Sequence, residues 1–222
     1  MAIFGDFADL PFPETFSMVG RRTGRLLISD VPDQGSFELH LVDGSLRGLR
    51  IDHEDIDDPL RARDRLAALM EAPCGLFQFH RCAPERLHGA LDLPLISLLM
   101  SLASAVDEIS AYRERFLHPQ ARFRRLAGEA VRLADDLDQF AQKATPYLLQ
   151  GTDAEELARA LDISLDQVRL YLYKLRSLGW IAPIGATGDV EHDLPLPEIG
   201  CSSWDDAIDE FFRSLRGRLE AV

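Results

Sequence analysis

Four side chains able to bind a metal fall within fifteen residues: Cys74, His80, Cys82 and His88. Structural zinc takes its cysteines in close pairs, with two to four residues between them. Here five residues separate Cys74 from His80 and Cys82 from His88. His80 also falls out of phase with Phe77 and Phe79 in an alternating run, so it belongs to the other face of a strand. The spacing predicts ordinary thiols on a half-buried strand. A second cluster, Asp52, Glu54, Asp55, Asp57 and Asp58, offers oxygen donors but lacks the D-x-[DN]-x-[DN]-G spacing of a calcium loop. It reads as a solvated loop leading into a helix, where carboxylates favour the N-terminal dipole. There is no phosphate-binding G-x4-G-K-[ST], no G-x-S-x-G, no H-E-x-x-H and no G-x-G-x-x-G after a strand. The six histidines are dispersed, and none pairs with a nucleophile. The expectation is a protein that is not an enzyme, with no catalytic residue, no metal and no cofactor.

The remaining chemistry is recognition, and residues 165–178 concentrate it. Gln167 and Arg169 have the side chains that read base edges, and Lys174 and Arg176 those that meet phosphates. Leu170 and Tyr173 beside them are the apolar anchors of a protein contact. The chain has 222 residues and a net charge of 24 − 37 = −13, and 22 of its 24 basic residues are arginine. An acidic surface repels nucleic acid and anionic membranes. Downstream, Asp189, Glu191 and Asp193 add negative charge and no basic residue. DNA and protein both stay open as partners of this helix, with protein favoured because a phosphate-neutralising footprint is mostly missing.

The elements that must hold this helix are well marked. Thr152 with Glu155 reads as a capping box opening a helix over 154–161, and Ser164 with Gln167 as a second, opening the helix that ends near Leu178. Residues 162–164 form the turn between them. Leu165, Val168, Leu172, Leu175 and Leu178 are its buried stripe, and Gly179 terminates it. Residues 180–184 then read as a strand, turned by 185–188. The set Glu156-Leu157-Ala158, Ile163-Ser164, Val168, Leu172, Leu175 and Leu178-Gly179-Trp180-Ile181 resembles a bacterial winged helix-turn-helix domain, here spanning 144–194. That resemblance implies a module used on DNA or for docking and dimerisation.

Residues 91–143 read as a helical connector. The stretch from Leu93 to Tyr112 is apolar nearly all round at its start, which predicts burial on most sides. Its apolar run, 93–106, falls short of the roughly 18 residues of a membrane span. After Pro119, Phe123, Leu126, Ala130, Leu133, Leu137 and Phe140 step by three and four residues. That is a heptad seam, serving either one helix packed on its own chain or a homodimer.

Residues 1–90 mix short strands with two helices. A helix over 13–20 precedes strands at 25–29, 37–41 and 45–51, the last two joined by the hairpin dipeptide Asp43-Gly44. A helix over 60–71 buries Ala62, Leu66, Leu69 and Met70, and the strand Phe77–His80 closes the unit. The ordered set Gly5-Asp6-Phe7, Leu10, Pro13-Glu14, Arg22-Thr23-Gly24-Arg25-Leu26, Asp43-Gly44 and Gly75-Leu76-Phe77-Gln78-Phe79 resembles the PATAN domain. The resemblance implies a module of bacterial signalling that works by protein contact, with partners among two-component or motility proteins. On this reading Thr23-Gly24 serves a reversal needing positive φ. Three sparse cysteines, Cys74, Cys82 and Cys201, fit a reducing interior, and the acidic, arginine-poor N-terminus is no signal peptide. The sequence therefore predicts an α+β chain. It would comprise a mixed α/β N-terminal domain with antiparallel strands (1–90), a connector (91–143), a winged-helix-like domain (144–194), and a tail with a helix (195–222). The expected role is a cytoplasmic signalling adaptor acting through protein contacts, as a homodimer; a DNA-binding regulator is the alternative.

Overall fold

The computed structural model describes residues 2–126 and 133–184. Ala130, the expected wing with Asp189, Glu191 and Asp193, and the tail over 195–222 lie outside the described residues. The fold is α+β. Its sheet is antiparallel throughout, in the order β1 (Ala2–Asp6), β6 (Leu76–Arg81), β2 (Gly24–Val31), β3 (Gly35–Val42), β4 (Ser45–Ile51) and β5 (Glu54–Asp55), with β7 (Leu93–Pro94) also on β4. Asp43 and Gly44 both take positive φ, 47° and 85°, as a tight hairpin demands.

Alternation sorts the strands by face. Leu26 stands between Leu39 and Phe79, and Ile28 between Phe37 and Phe77, all buried. Against them pack α1 (Phe12–Val19), α2 (Pro59–Met70) and α3 (Leu95–Tyr112), through Phe12, Phe16, Leu66, Leu69, Leu98 and Leu102. The intervening residues, Leu27 on β2 and Leu76 and Gln78 on β6, belong to the opposite, uncovered face. Gly24 is needed for a different reason from the one its turn-like context suggests. Its φ is not positive; a Cβ there would lie 2.4 Å from the His80 carbonyl and 2.5 Å from the Phe79 ring.

A second core joins α4 (Asp135–Gln150), α5 (Ala154–Leu161), α6 (Leu165–Ser177) and the two-stranded pair β8 (Phe123–Arg125) with β9 (Ile181–Pro183). Phe140 stacks on buried Tyr171 at 4.7 Å between ring centres. This arrangement corrects the heptad seam. Phe123 lies in a strand, Leu126 follows it 42% exposed, and the helix begins only at Asp135. Phe123, Leu137 and Phe140 fill the second core and Leu133 packs against it, so these residues form no continuous helical stripe. Phe123 needs Pro183 as its strand partner, sixty residues away, which local periodicity does not contain. The first helix cap also shifts by one residue. Asp153 accepts from Glu156 N–H at 2.8 Å, while the Thr152 hydroxyl bonds the Glu156 carboxylate at 2.9 Å.

α3 departs from its expected burial. Only Leu95, Leu98 and Leu102 are buried, and Ile96 and Met100 are 73% and 70% exposed. With the turn that follows it, Leu95–Arg115 is long and apolar enough to cross a membrane by length and composition, longer than the run read from sequence. In this fold the same segment joins the first core through Leu95, Leu98 and Leu102, and its end lies beside α6, where Tyr112 stacks on Tyr173.

Candidate functional site

α6 carries the residues expected to touch a partner, and three elements fix it. Its N-cap Ser164 accepts from Gln167 N–H at 3.3 Å. Asp64 of α2 accepts from both the Ser164 amide, 3.0 Å, and the Ser164 hydroxyl, 2.5 Å. Burial pushes the Asp64 carboxyl above its ordinary range, against the lowering effect of those two bonds. Asp162, in the left-handed region at φ 51°, meets Arg61 and Arg65 of the same helix. Leu60 joins the second core, Asp58 pairs with Lys143, and Arg63 donates to Gln139 at 3.3 Å. α2 thus serves both cores: Ala62, Leu66 and Leu69 face the sheet, and its polar residues clamp the 162–164 turn.

The far side of α6 is held by α3 and the turn after it. Tyr173 stacks on Tyr112 at 5.2 Å and lies 6.0 Å from Phe116. Lys174 pairs with Glu108 at 2.5 Å, and Asp166 with Arg113 at 2.8 Å. Arg169 sits over the Phe116 ring at 5.2 Å and donates to the Leu117 carbonyl at 3.3 Å. Gln167 and Leu170, expected on the exposed face, are 6% and 0% exposed. Their burial corrects that expectation: α6 meets protein on both sides, and of its three basic residues Arg169 and Lys174 have an ion-pair or aromatic partner and Arg176 has neither among the described residues. The spacing Tyr112-x3-Phe116 is a sequence signal for this contact, since it extends the apolar side of α3 by one turn.

A second candidate is the uncovered face of the sheet, which sequence reading did not single out. A groove of about 770 Å³ crosses it, walled by Phe4, Leu27, Leu76 and Gln78 and ending at Glu38 and Arg50. Register lines up Phe4, Gln78, Leu27, Glu38 and Arg50 on adjacent strands. Phe4 and Leu76 are 80% and 48% exposed. Glu38 anchors the polar end. Burial alone would raise its carboxyl, but hydrogen bonds from His40 at 2.9 Å and Arg25 at 3.2 Å outweigh it and hold the group below the usual range. Buried His40 in turn contacts the His88 backbone through Nδ1.

Among the described residues no three His, Cys, Asp or Glu side chains converge on a point where a metal ion could sit, and Cys74 and Cys82 are half-buried free thiols. The two surfaces differ: at α6 the aromatic ring of Tyr173 and the Arg169 guanidinium are engaged by α3 and the turn after it, whereas the sheet face presents an apolar trough with a charged end. Compared with family models, with curated proteins and with solved structures, the chain matches none.

Proposed function

We propose that this chain is a non-enzymatic, cytoplasmic regulatory adaptor of bacterial signalling that acts through protein contacts. In this reading the PATAN-like unit presents its uncovered sheet face to a signalling protein, and the winged-helix-like unit is a structural and docking module. One observation carries it. The residues of α6 that a duplex would need, Arg169 and Lys174, already have partners in Phe116, Leu117 and Glu108 of the same chain. Contact with DNA would require breaking those interactions and then approaching phosphates with a −13 chain.

Duplex titration of the full chain tests it. With Arg169, Lys174 and Arg176 as the available contacts, binding to random duplex at physiological salt is expected to be weaker than ~10⁻⁴ M. Submicromolar binding that Arg169→Ala abolishes would instead support the transcription-regulator reading.

A further inference from the structure

α3 changes character after Leu102. Its buried residues, Leu95, Leu98 and Leu102, all fall in its first half. Of the described residues over 103–115 none is buried, and over 103–117 none belongs to either core. A cleft of about 580 Å³ opens between this stretch, α2 and the start of α6, with Val106 and Ile109 of α3 and Ala67 and Ala68 of α2 among its walls. What holds the stretch is α6. Glu108, Tyr112 and Phe116 recur every four residues and meet Lys174, Tyr173 and Arg169 in turn. Arg113 beside them meets Asp166. Early residues of one segment meet late residues of the other, so the two run antiparallel. Phe116 is the one buried side chain over 103–117, and it lies against Arg169 and Tyr173. Both ion pairs are partly exposed, and such pairs hold weakly one at a time. The stretch is thus fastened to the first core at Leu102, and again where the Pro119 carbonyl accepts from the Ala154 amide at 3.0 Å. Between those points it is held by contacts of the kind that surfaces make.

We infer that residues 103–117 are an autoinhibitory strap: they occupy, on α6, the seat of an amphipathic partner helix, and that helix binds by displacing them. A helix laid on such a surface is read through anchors three and four residues apart. The strap displays the anchors this seat accepts. They are a carboxylate toward Lys174 and, four and eight residues on, aromatic rings toward Tyr173 and Arg169. The seat favours a protein helix over a duplex, because the Asp166 carboxylate stands beside Arg169 and would face the phosphates. An arginine at the position of Arg113 suits that carboxylate instead. The inference rests on the docking role proposed for the winged-helix-like unit, and it adds the site, the chemistry of the partner and what keeps it out.

Two measurements on the full chain test this. Hydrogen–deuterium exchange of the wild type should show the strap opening on its own, with amides over 103–117 exchanging at least about a hundredfold faster than those of α4 and α6. A labelled peptide of residues 103–118, followed by fluorescence anisotropy, then reports on the seat. It should bind the variant Tyr112→Ala/Phe116→Ala, whose own strap is loosened, at least about tenfold tighter than the wild type, which must first give up its strap. Neither ring belongs to a core, so circular dichroism of the variant should match the wild type. Adding Lys174→Glu to the variant should weaken this peptide and favour one carrying Glu108→Lys. Exchange over 103–117 as slow as in α4 and α6 overturns the inference. So does a peptide that binds the wild type as tightly as the variant, that binds neither, or that is indifferent to Lys174→Glu. Wild-type dimers in sedimentation equilibrium that Tyr112→Ala and Tyr173→Ala weaken alike overturn it in favour of strap exchange between copies. Submicromolar binding of random duplex by the variant overturns it together with the adaptor reading, which the other failures leave standing.

Discussion

Asp64→Ala should uncouple α2 from the helix-turn-helix. The carboxylate is 8% exposed and accepts both polar groups of Ser164, at 3.0 and 2.5 Å. Its removal leaves an amide and a hydroxyl without their acceptor at the start of α6. A lost hydrogen bond to a charged group costs about 1.5–3 kcal/mol. Two such bonds would sum to more, but the variant also escapes the cost of burying an ion. The net expectation is about 2 kcal/mol, or roughly 4–8 °C in Tm for a chain of this size. Asp64→Asn keeps one acceptor and should lose about half as much. A double-mutant cycle with Ser164→Ala, read by urea unfolding, isolates the pair and should give a coupling of about 1–2 kcal/mol. The pH dependence has a definite sign. Burial raises the folded carboxyl above its model value of 3.8, so between that value and the raised folded one the native state binds more protons than the unfolded state. Stability from Asp64 therefore increases as pH falls through that window and declines as pH rises through the folded value. Wild type measured against Asp64→Asn should gain stability on mild acidification and level off below the unfolded value. A coupling below about 0.5 kcal/mol, within the additivity error of independent sites, would refute the view that Asp64 ties α2 to α6 through Ser164. So would an advantage of wild type over Asp64→Asn that grows with rising pH.

Tyr173→Ala removes a ring stacked on Tyr112 and edging Phe116. It should cost about 2 kcal/mol, below a fully buried aromatic because Tyr173 is only half-buried, and should speed amide exchange near the end of α3; unchanged exchange there would count against the α3–α6 contact. Gly24→Ala puts a methyl 2.4 Å from the His80 carbonyl and should destabilise by about 2 kcal/mol or more by chemical denaturation. A neutral result would mean that the β2–β6 ladder can spread to admit it.

The sequence is readable where the information is local and hidden where it is not. Asp43-Gly44 supplies its own turn, Phe77 and Phe79 declare a strand face, and Ser164 caps the helix that follows it. Each is settled within a few residues by backbone sterics or one hydrogen bond. Phe123 shows the limit. Its spacing to Leu126 and Leu137 fits a helix as well as the true pattern does, and only β9 makes it a strand. The α6 face failed for a related reason. Arginine, lysine and tyrosine on a helix look alike whether the complement is a phosphate, a foreign protein or the chain's own α3. What decides is Glu108 opposite Lys174 and Tyr112 opposite Tyr173, pairings set by how α2 and α3 hold both cores together. The uncovered sheet groove was legible in part, since alternation puts Leu27 and Leu76 on the face that Phe77 and Phe79 avoid. Seeing it as a surface required knowing that β1 and β6 stand next to β2, an order that no local pattern fixes. The two candidate surfaces therefore differ in kind. The α6 face has already spent its aromatic and charged groups inside the fold, whereas Phe4 and Leu76 still expose theirs. For that reason contact with other proteins is sought first at the sheet.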